Sequence, residues 1–145
     1  MVIRIDQMGK VPIYQQIRNQ IVAAIATGEM RPGNQLPSVR SLASDLGINL
    51  HTVNKAYAIL RDEGYVLMRG RAGAMVAEPL RAGEGDVADA EAAAHAARAD
   101  KRLADGLLLL ALEHKAAGGD RVAFEDAVAH VLDSAYPSEQ DNAPD

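Results

Sequence analysis

The first half of the 145-residue chain contains three segments in which apolar residues recur at helical spacing. Residues three and four positions apart lie on one face of an α-helix, so each segment predicts a short amphipathic helix. The three apolar stripes are Ile17, Ile21, Ala24 and Ile25; Val39, Leu42, Ala43 and Leu46; and Val53, Ala56, Tyr57 and Leu60. We expect these stripes to pack against one another and to form the core.

The residues between the second and third helices predict a tight turn. Gly47 follows the second stripe, and glycine readily adopts the left-handed conformation that ends many helices. Asn49 is a preferred N-cap for the third helix, since its side-chain oxygen can accept a hydrogen bond from a free backbone N–H. Two short helices joined by the three residues Gly47-Ile48-Asn49 form a helix-turn-helix.

A hairpin pattern follows the third helix. Residues 65–68 and 74–77 favour strands, and residues 69–73 between them form a turn that contains glycine. Residues 2–5 predict one further short strand at the start of the chain. The predicted fold class is therefore mainly α with a small β-hairpin wing: a winged helix-turn-helix domain followed by a C-terminal helical segment.

The second half of the chain is rich in alanine and predicts a helical pair. Residues 87–117 indicate one long helix, or two helices interrupted at Gly106, and a final amphipathic helix follows. Leucines lie nearly all around the first of these helices, so it must be covered on more than one side. We interpret this region as a dimer core rather than a cofactor site or a membrane surface. Its predicted dimerisation residues are Leu103, Leu107, Leu110, Ala111, Phe124, Val128 and Val131.

These patterns divide the chain into four predicted segments. Residues 1–80 form the winged domain, and residues 81–99 are a linker or the start of a long helix. Residues 100–136 form the helical dimerisation region, and residues 137–145 form a polar, disordered tail.

Charge is distributed unevenly between the two halves. Residues 1–80 contain nine Lys and Arg against six Asp and Glu, a net charge of +3, whereas residues 81–145 contain six against fourteen, a net charge of −8. Together they give the total of −5. The first half can approach a polyanion, and the second would be repelled by one.

The third helix presents side chains that can read DNA on the face opposite its apolar stripe. They are small or polar residues near the helix N-terminus, suited to the donors, acceptors and thymine methyls of a major groove. Asn54 can bond an adenine edge or a phosphate, whereas Lys55 either contacts a phosphate or is merely exposed. The candidate DNA-binding residues of this helix and its cap are Asn49, Leu50, His51, Thr52, Asn54 and Lys55.

Cations in two other segments complete the candidate DNA surface. Arg40, at the start of the second helix, can clamp a phosphate with two hydrogen bonds or reach a guanine. Arg69 and Arg71 flank Gly70 at the hairpin tip, and two cations on such a tip suit a contact with the minor groove or the DNA backbone.

Several other functions find no support in the sequence. The chain has no cysteine, which excludes disulfides, thiol catalysis and thiolate metal sites. No nucleophile–base pair, phosphate loop or metal motif stands out, so we predict neither an enzyme nor a cofactor nor a metal site. His95, His114 and His130 match no ligand spacing and are interpreted as surface or interface residues. With no apolar run of about 18 residues and no export signal, we expect a cytoplasmic protein that does not enter a membrane.

Five segments, in order and at matching spacing, resemble the GntR family of bacterial transcription regulators. They are residues 12–17, 28–33, 36–43, 49–57 and 63–65. The short, two-helix second half resembles the YtrA-like branch of that family in particular. The resemblance is close over residues 3–78, whereas residues 100–134 match only in size and helical character.

The resemblance implies a homodimeric repressor with its winged domain on DNA and its C-terminal helices in the dimer. It assigns DNA contacts to Arg40, to residues 49–52 and to the wing tip at Gly70. It also implies control of transporter genes, because such regulators are often encoded beside them. A palindromic operator follows from the dimer, and the effector, if any, is unknown. The alternative interpretation is a winged helix that binds another protein, which the negative net charge favours.

Overall fold

A computed structural model describes residues 1–70, 73–79 and 88–138 of the chain. The chain divides into two compact units, residues 1–99 and residues 100–145. The first unit contains the helices α1 (Ile13–Ala26), α2 (Val39–Leu46) and α3 (Leu50–Asp62) and the strands β1 (Val66–Met68) and β2 (Ala74–Val76). Helix α4 (Ala88–Ala116) begins in the first unit and ends in the second, which also contains α5 (Arg121–Ala135).

The core of the first unit consists of the three predicted stripes. Helix α3 packs against both α1 and α2, and it also contacts β1. Ile17 and Ile21 of α1 and Val53 and Leu60 of α3 are completely buried. No polar or charged residue is buried among the residues that the structure describes, so burial of aliphatic side chains is the main stabilising contribution in this unit. The predicted fold class, mainly α with a hairpin wing, is confirmed.

Local capping explains why α2 and α3 begin and end where they do. The Ser38 hydroxyl accepts a hydrogen bond from the backbone N–H of Ser41 at 3.0 Å and caps α2. Gly47 ends α2 with φ +65°, a left-handed conformation in which a side chain would be strained. Asn49 Oδ1 then accepts from the backbone N–H of His51 at 2.8 Å and caps α3, as the sequence predicts.

The wing is an antiparallel hairpin whose register pairs Val66 with Val76 and Met68 with Ala74. A third segment extends it, because Gln35 forms an isolated bridge with Met75. Two backbone bonds flank this bridge, from the N–H of Leu36 to the Ala74 carbonyl and from the N–H of Val76 to the Asn34 carbonyl. The chain segment before α2 therefore holds the wing against the helices.

The predicted strand at residues 2–5 is wrong, although Ile3 is buried in the core. Side-chain amides on α1 take the place of a partner strand. Gln20 accepts from the backbone N–H of Arg4 at 2.9 Å and donates to its carbonyl at 2.6 Å. Gln16 accepts from the backbone N–H of Asp6 and donates to its carbonyl, both at 2.8 Å. The lead-in segment is thus extended and hydrogen-bonded without joining a sheet.

The second unit is a pair of helices joined by a short turn. Helix α4 continues through Gly106, which confirms the first of the two predicted alternatives, one long helix; one glycine costs a helix only about 1 kcal/mol relative to alanine. Asp120 caps α5 by accepting from the backbone N–H of Ala123 at 2.8 Å. Of the predicted linker or helix start at residues 81–99, residues 88–99 are helical and residues 81–87 lie outside the described part of the chain. Residues 139–145 of the predicted tail at 137–145 also lie outside it.

Side chains in the second unit are largely open to solvent. From residue 100 to residue 138 the structure describes no buried residue. None of the described helices is long and apolar enough to cross a membrane.

Candidate nucleic-acid interface

The first two turns of α3 form an exposed polar face. Val53, Ala56 and Tyr57 point into the core, which leaves the opposite side of the helix to solvent. On that side the structure brings together the residues singled out from the sequence. Asn49, Leu50, His51, Asn54 and Lys55 are exposed and Thr52 is half-buried. We call this set the α3 face.

The start of α3 is electrostatically suited to an anion. Backbone N–H groups at a helix N-terminus carry a partial positive charge. Asn49 occupies one of them through its side chain, and the N–H of Thr52 bonds the Asn49 carbonyl at 3.1 Å. These bonds hold the turn before α3 rigidly. The α3 face therefore combines a fixed backbone with side chains that can donate and accept hydrogen bonds.

A buried tyrosine connects α3 to the start of α2. The Tyr57 hydroxyl donates to the Pro37 carbonyl at 2.7 Å, directly before the cap residue Ser38. Burial raises the pKa of this hydroxyl, because a phenolate would lose its hydration there. Tyr57 is buried, as its place in the predicted apolar stripe implies. Arg40 lies in the first turn of α2 and is exposed, so this bond helps to set the position of its backbone relative to α3.

Lys55 has a partner that the sequence did not reveal. Its ammonium nitrogen lies 3.9 Å from the centroid of the Tyr14 ring, in the first turn of α1. The sequence places Tyr14 only in or beside an apolar stripe. Tyr14 and Lys55 are far apart in the sequence. Their contact depends on how α1 packs on α3, which the sequence does not show. The only available signal is an aromatic residue at the start of a helix whose stripe is otherwise aliphatic.

Backbone hydrogen bonds of described residues flank the wing tip, where one cation is exposed. The N–H of Arg69 bonds the Gly73 carbonyl at 2.8 Å, and the N–H of Gly73 bonds the Gly70 carbonyl at 3.2 Å. Gly70 has φ +52°, which favours glycine at this position. The Arg69 side chain is exposed. Arg71, the second predicted wing cation, lies outside the described residues.

The remaining cations of this unit differ in their pairing. Arg18 bonds Glu63 at 2.5 Å, and its guanidinium lies 5.7 Å from the Tyr65 ring centroid, so it links α1 to the end of α3. Arg61 pairs with Asp62 at 3.1 Å. Arg40 and Arg69, in contrast, form no ion pair within residues 1–70, 73–79 and 88–138. These two cations are available to an external anion.

The second unit exposes most of the predicted dimerisation residues. Leu103 is 61% exposed, Leu107 41%, Leu110 56% and Val131 63%, whereas Ala111, Phe124 and Val128 are half-buried. A groove of about 370 Å³ runs between the helices, lined by Leu107, Phe124, Glu125, Val128, Ala129 and Leu132. Further exposed apolar residues not assigned to the dimer from the sequence are Leu108, Leu109, Leu112, Val122 and Leu132.

One histidine of this region, His114, makes contacts within the second unit. His114 Nε2 lies 3.2 Å from the Asp120 carbonyl oxygen, and its ring centroid is 5.6 Å from that of Phe124. A Cβ on Gly119 would come within 2.1 Å of the His114 ring, so glycine is required for this packing. In the described residues, no three His, Asp or Glu side chains come together as metal ligands.

Parts of this chain are similar to known proteins. Residues 13–76 match the family model described as bacterial regulatory proteins, gntR family. The transcriptional repressor YtrA of Bacillus subtilis is 46% identical over 70 residues, covering 48% of this chain and 54% of that protein. A solved structure of YtrA from Sulfolobus acidocaldarius, a GntR-family transcription factor, is 49% identical with a TM-score of 0.51, covering 54% of this chain and 82% of the other.

One solved structure extends the similarity to most of the chain. A GntR family transcriptional regulator from Listeria monocytogenes is 27% identical with a TM-score of 0.56, covering 88% of this chain and 96% of that protein. The matching segment spans little more than half the length of the first curated relatives.

Proposed function

The chain belongs to the gntR family of bacterial regulatory proteins, a family of transcription regulators and not of enzymes, and on that premise we propose that it represses transcription by binding double-stranded operator DNA. The α3 face enters the major groove, where the first residues of a recognition helix meet base edges. Arg40 and the wing tip contact the DNA backbone or an adjacent groove.

One observation carries this proposal. The α3 face is exposed along two turns while the opposite side of the same helix is completely buried. A helix that is held so firmly from behind can enter a groove without rearranging. Arg40 and Arg69, which are exposed and form no ion pair in the described residues, supply part of the attraction to phosphate that gives most DNA-binding proteins much of their affinity.

We further propose that the protein binds DNA as a homodimer formed by the second unit. The support is the run of exposed leucines in α4 and the apolar groove between α4 and α5. A second copy would cover these faces, since leucines on several sides of one helix need more than one neighbour. A twofold dimer predicts a palindromic operator whose half-sites lie about 34 Å apart or a multiple of that spacing.

The experiment that tests this function is selection of bound fragments from random DNA by the full chain, followed by fluorescence anisotropy at several salt concentrations. We expect an enriched inverted repeat and an affinity that falls steeply with salt. Each neutralised phosphate contributes about −0.9 to the slope of log K against log salt. A protein that enriches no sequence and binds DNA without salt dependence would contradict the proposal.

The competing function is a winged helix whose α3 face binds another protein. The net charge of −5 favours it, whereas the positive charge of the first half and the exposed wing arginine oppose it. Retention on heparin with elution by salt separates the two, since a protein-binding module would pass through the column. Control of transporter genes and cytoplasmic action belong to the same proposal. The sequence enriched by the operator selection would show which genes carry a matching site.

A further inference from the structure

The contact between Lys55 and Tyr14 gives the DNA-binding face a feature that the recognition helix alone would lack. A lysine side chain has four rotatable bonds and samples many directions when it is free. Here the ammonium lies against the face of a half-buried ring at 3.9 Å, within the range of a cation–π interaction. The ring belongs to α1 and Lys55 to the second turn of α3, so the contact restrains the cation from a different helix.

We propose that Tyr14 is a positioning residue that holds the Lys55 ammonium for a backbone phosphate of the bound DNA. This inference rests on the proposed function. The ring covers one side of the ammonium and leaves the remainder open, because Lys55 is exposed. An ammonium is a compact point charge without the planar pair of donors that suits a base edge, so a phosphate is its natural partner.

The surroundings of Lys55 support a phosphate rather than a structural ion pair. Arg18 and Arg61 are both bonded to carboxylates, whereas Lys55 forms no ion pair with any residue described in the structure. A ring attracts a cation without neutralising it, so the full charge remains available. Tyr14 therefore orders the side chain before binding, which lowers the entropy lost when the phosphate contact forms.

The test compares four variants of the full chain: Lys55→Met, Tyr14→Leu, Tyr14→Phe and the Lys55→Met/Tyr14→Leu double variant. Operator affinity is measured by anisotropy over a range of salt. Lys55→Met should reduce the magnitude of the salt slope by about one and weaken operator and random DNA by the same factor. Tyr14→Leu should lower affinity about two- to five-fold, the size expected for one exposed cation–π contact.

The remaining variants separate positioning from other roles of the ring. Tyr14→Phe keeps a ring face and should bind within about two-fold of the unmodified protein. In the double variant, loss of the ring should add nothing to the loss of the ammonium. Ring-current shifts of the Lys55 methylene protons, seen by NMR without DNA, should disappear in Tyr14→Leu and persist in Tyr14→Phe.

Arg61→Gln is the matched control, because it removes one positive charge from the same helix near its other end. It should leave the salt slope unchanged. Tyr14→Leu with unaltered affinity, or with the same loss in the presence and absence of Lys55, would overturn the positioning role, as would a large loss in Tyr14→Phe. If the unmodified protein itself shows no salt-dependent DNA binding, the proposed function fails first, so the two failures are distinguishable.

Discussion

The hydroxyl of Tyr57 donates a hydrogen bond of 2.7 Å to the carbonyl of Pro37. This bond joins the buried side of α3 to the residue that precedes the cap of α2. It couples the two helices of the helix-turn-helix through the protein interior, on the side away from the α3 face. The arrangement of Arg40 relative to α3 therefore depends in part on a residue that cannot touch DNA.

Replacement of Tyr57 by phenylalanine should destabilise the protein modestly. The ring would still fill the core, whereas the Pro37 carbonyl would lose its partner at a partly buried position. We expect a loss of about 1 kcal/mol in the free energy of unfolding. Urea denaturation followed by circular dichroism measures it. Tyr65→Phe is the control, since the structure gives the Tyr65 hydroxyl no hydrogen bond within its described residues, and an equal loss there would show that the Tyr57–Pro37 bond is not special.

The same tyrosine predicts a dependence of stability on alkaline pH. Burial raises the pKa of the Tyr57 hydroxyl above its ordinary value, so the unfolded state loses this proton first. As pH rises above about 10, the unfolded state therefore gains stability relative to the folded state. The stability advantage of the unmodified protein over Tyr57→Phe should shrink across that range. A constant or growing difference in urea midpoints would contradict the raised pKa.

Asn49 should have separable effects on folding and on binding. Asn49→Ala removes the cap of α3 and should lower stability by about 1 kcal/mol. Asn49→Asp keeps an oxygen acceptor at the cap and should retain stability, yet it places a negative charge where DNA approaches. We expect weaker operator binding from both variants but a lower melting temperature only from Asn49→Ala. A shared loss of stability would mean that the cap requires the amide.

Arg40 should contribute to DNA affinity without contributing to stability. Its side chain is exposed and forms no ion pair in the described part of the chain, so Arg40→Ala should leave the melting temperature nearly unchanged. Operator affinity should fall about ten-fold, within the usual range for loss of an arginine contact. Arg61→Ala, which removes an exposed arginine from the end of α3, serves as the comparison. Equal affinities for the two variants would remove Arg40 from the interface.

Leu107 tests the proposed dimer. Leu107→Glu places a charge in the groove beside Phe124 and Val128. The proposed dimer would bury this charge without a partner, which is costly. Sedimentation velocity should show monomers, and operator affinity should fall with them. Lys101→Glu changes the charge of the same helix by a larger amount at a fully exposed position and should remain dimeric. Dimers in both variants would place the interface elsewhere.

The sequence predicted the elements that depend on local chemistry. The stripes of α1, α2 and α3 appear at helical spacing, and the Asn49 cap is a property of neighbouring residues. The strand at residues 2–5 was wrong because the partners of its backbone are the side chains of Gln16 and Gln20, and such a role leaves no mark in hydrophobic periodicity. The sequence allows either one helix or a break at Gly106, and the helix is continuous because the surrounding leucines and alanines favour helix strongly enough to tolerate one glycine.

The candidate site was predictable where exposure follows from periodicity. Residues opposite a buried stripe must face solvent, so the members of the α3 face could be named in advance. The contact between Tyr14 and Lys55 could not, because it depends on how α1 crosses α3. The packing of α1 on α3 therefore decides whether the Lys55 side chain is held by a ring or free, and the sequence does not give that packing.

The exposed apolar side chains of α4 and α5 have a consequence for how operator occupancy depends on the amount of this protein. In the described part of the second unit these helices bury no side chain, so the pairing of two chains that we propose would supply most of their apolar burial. For the proposed dimer, operator occupancy then rises more steeply than in direct proportion to the number of chains. A change in synthesis or degradation would therefore shift operator occupancy more strongly than it would for a regulator that binds as a single chain.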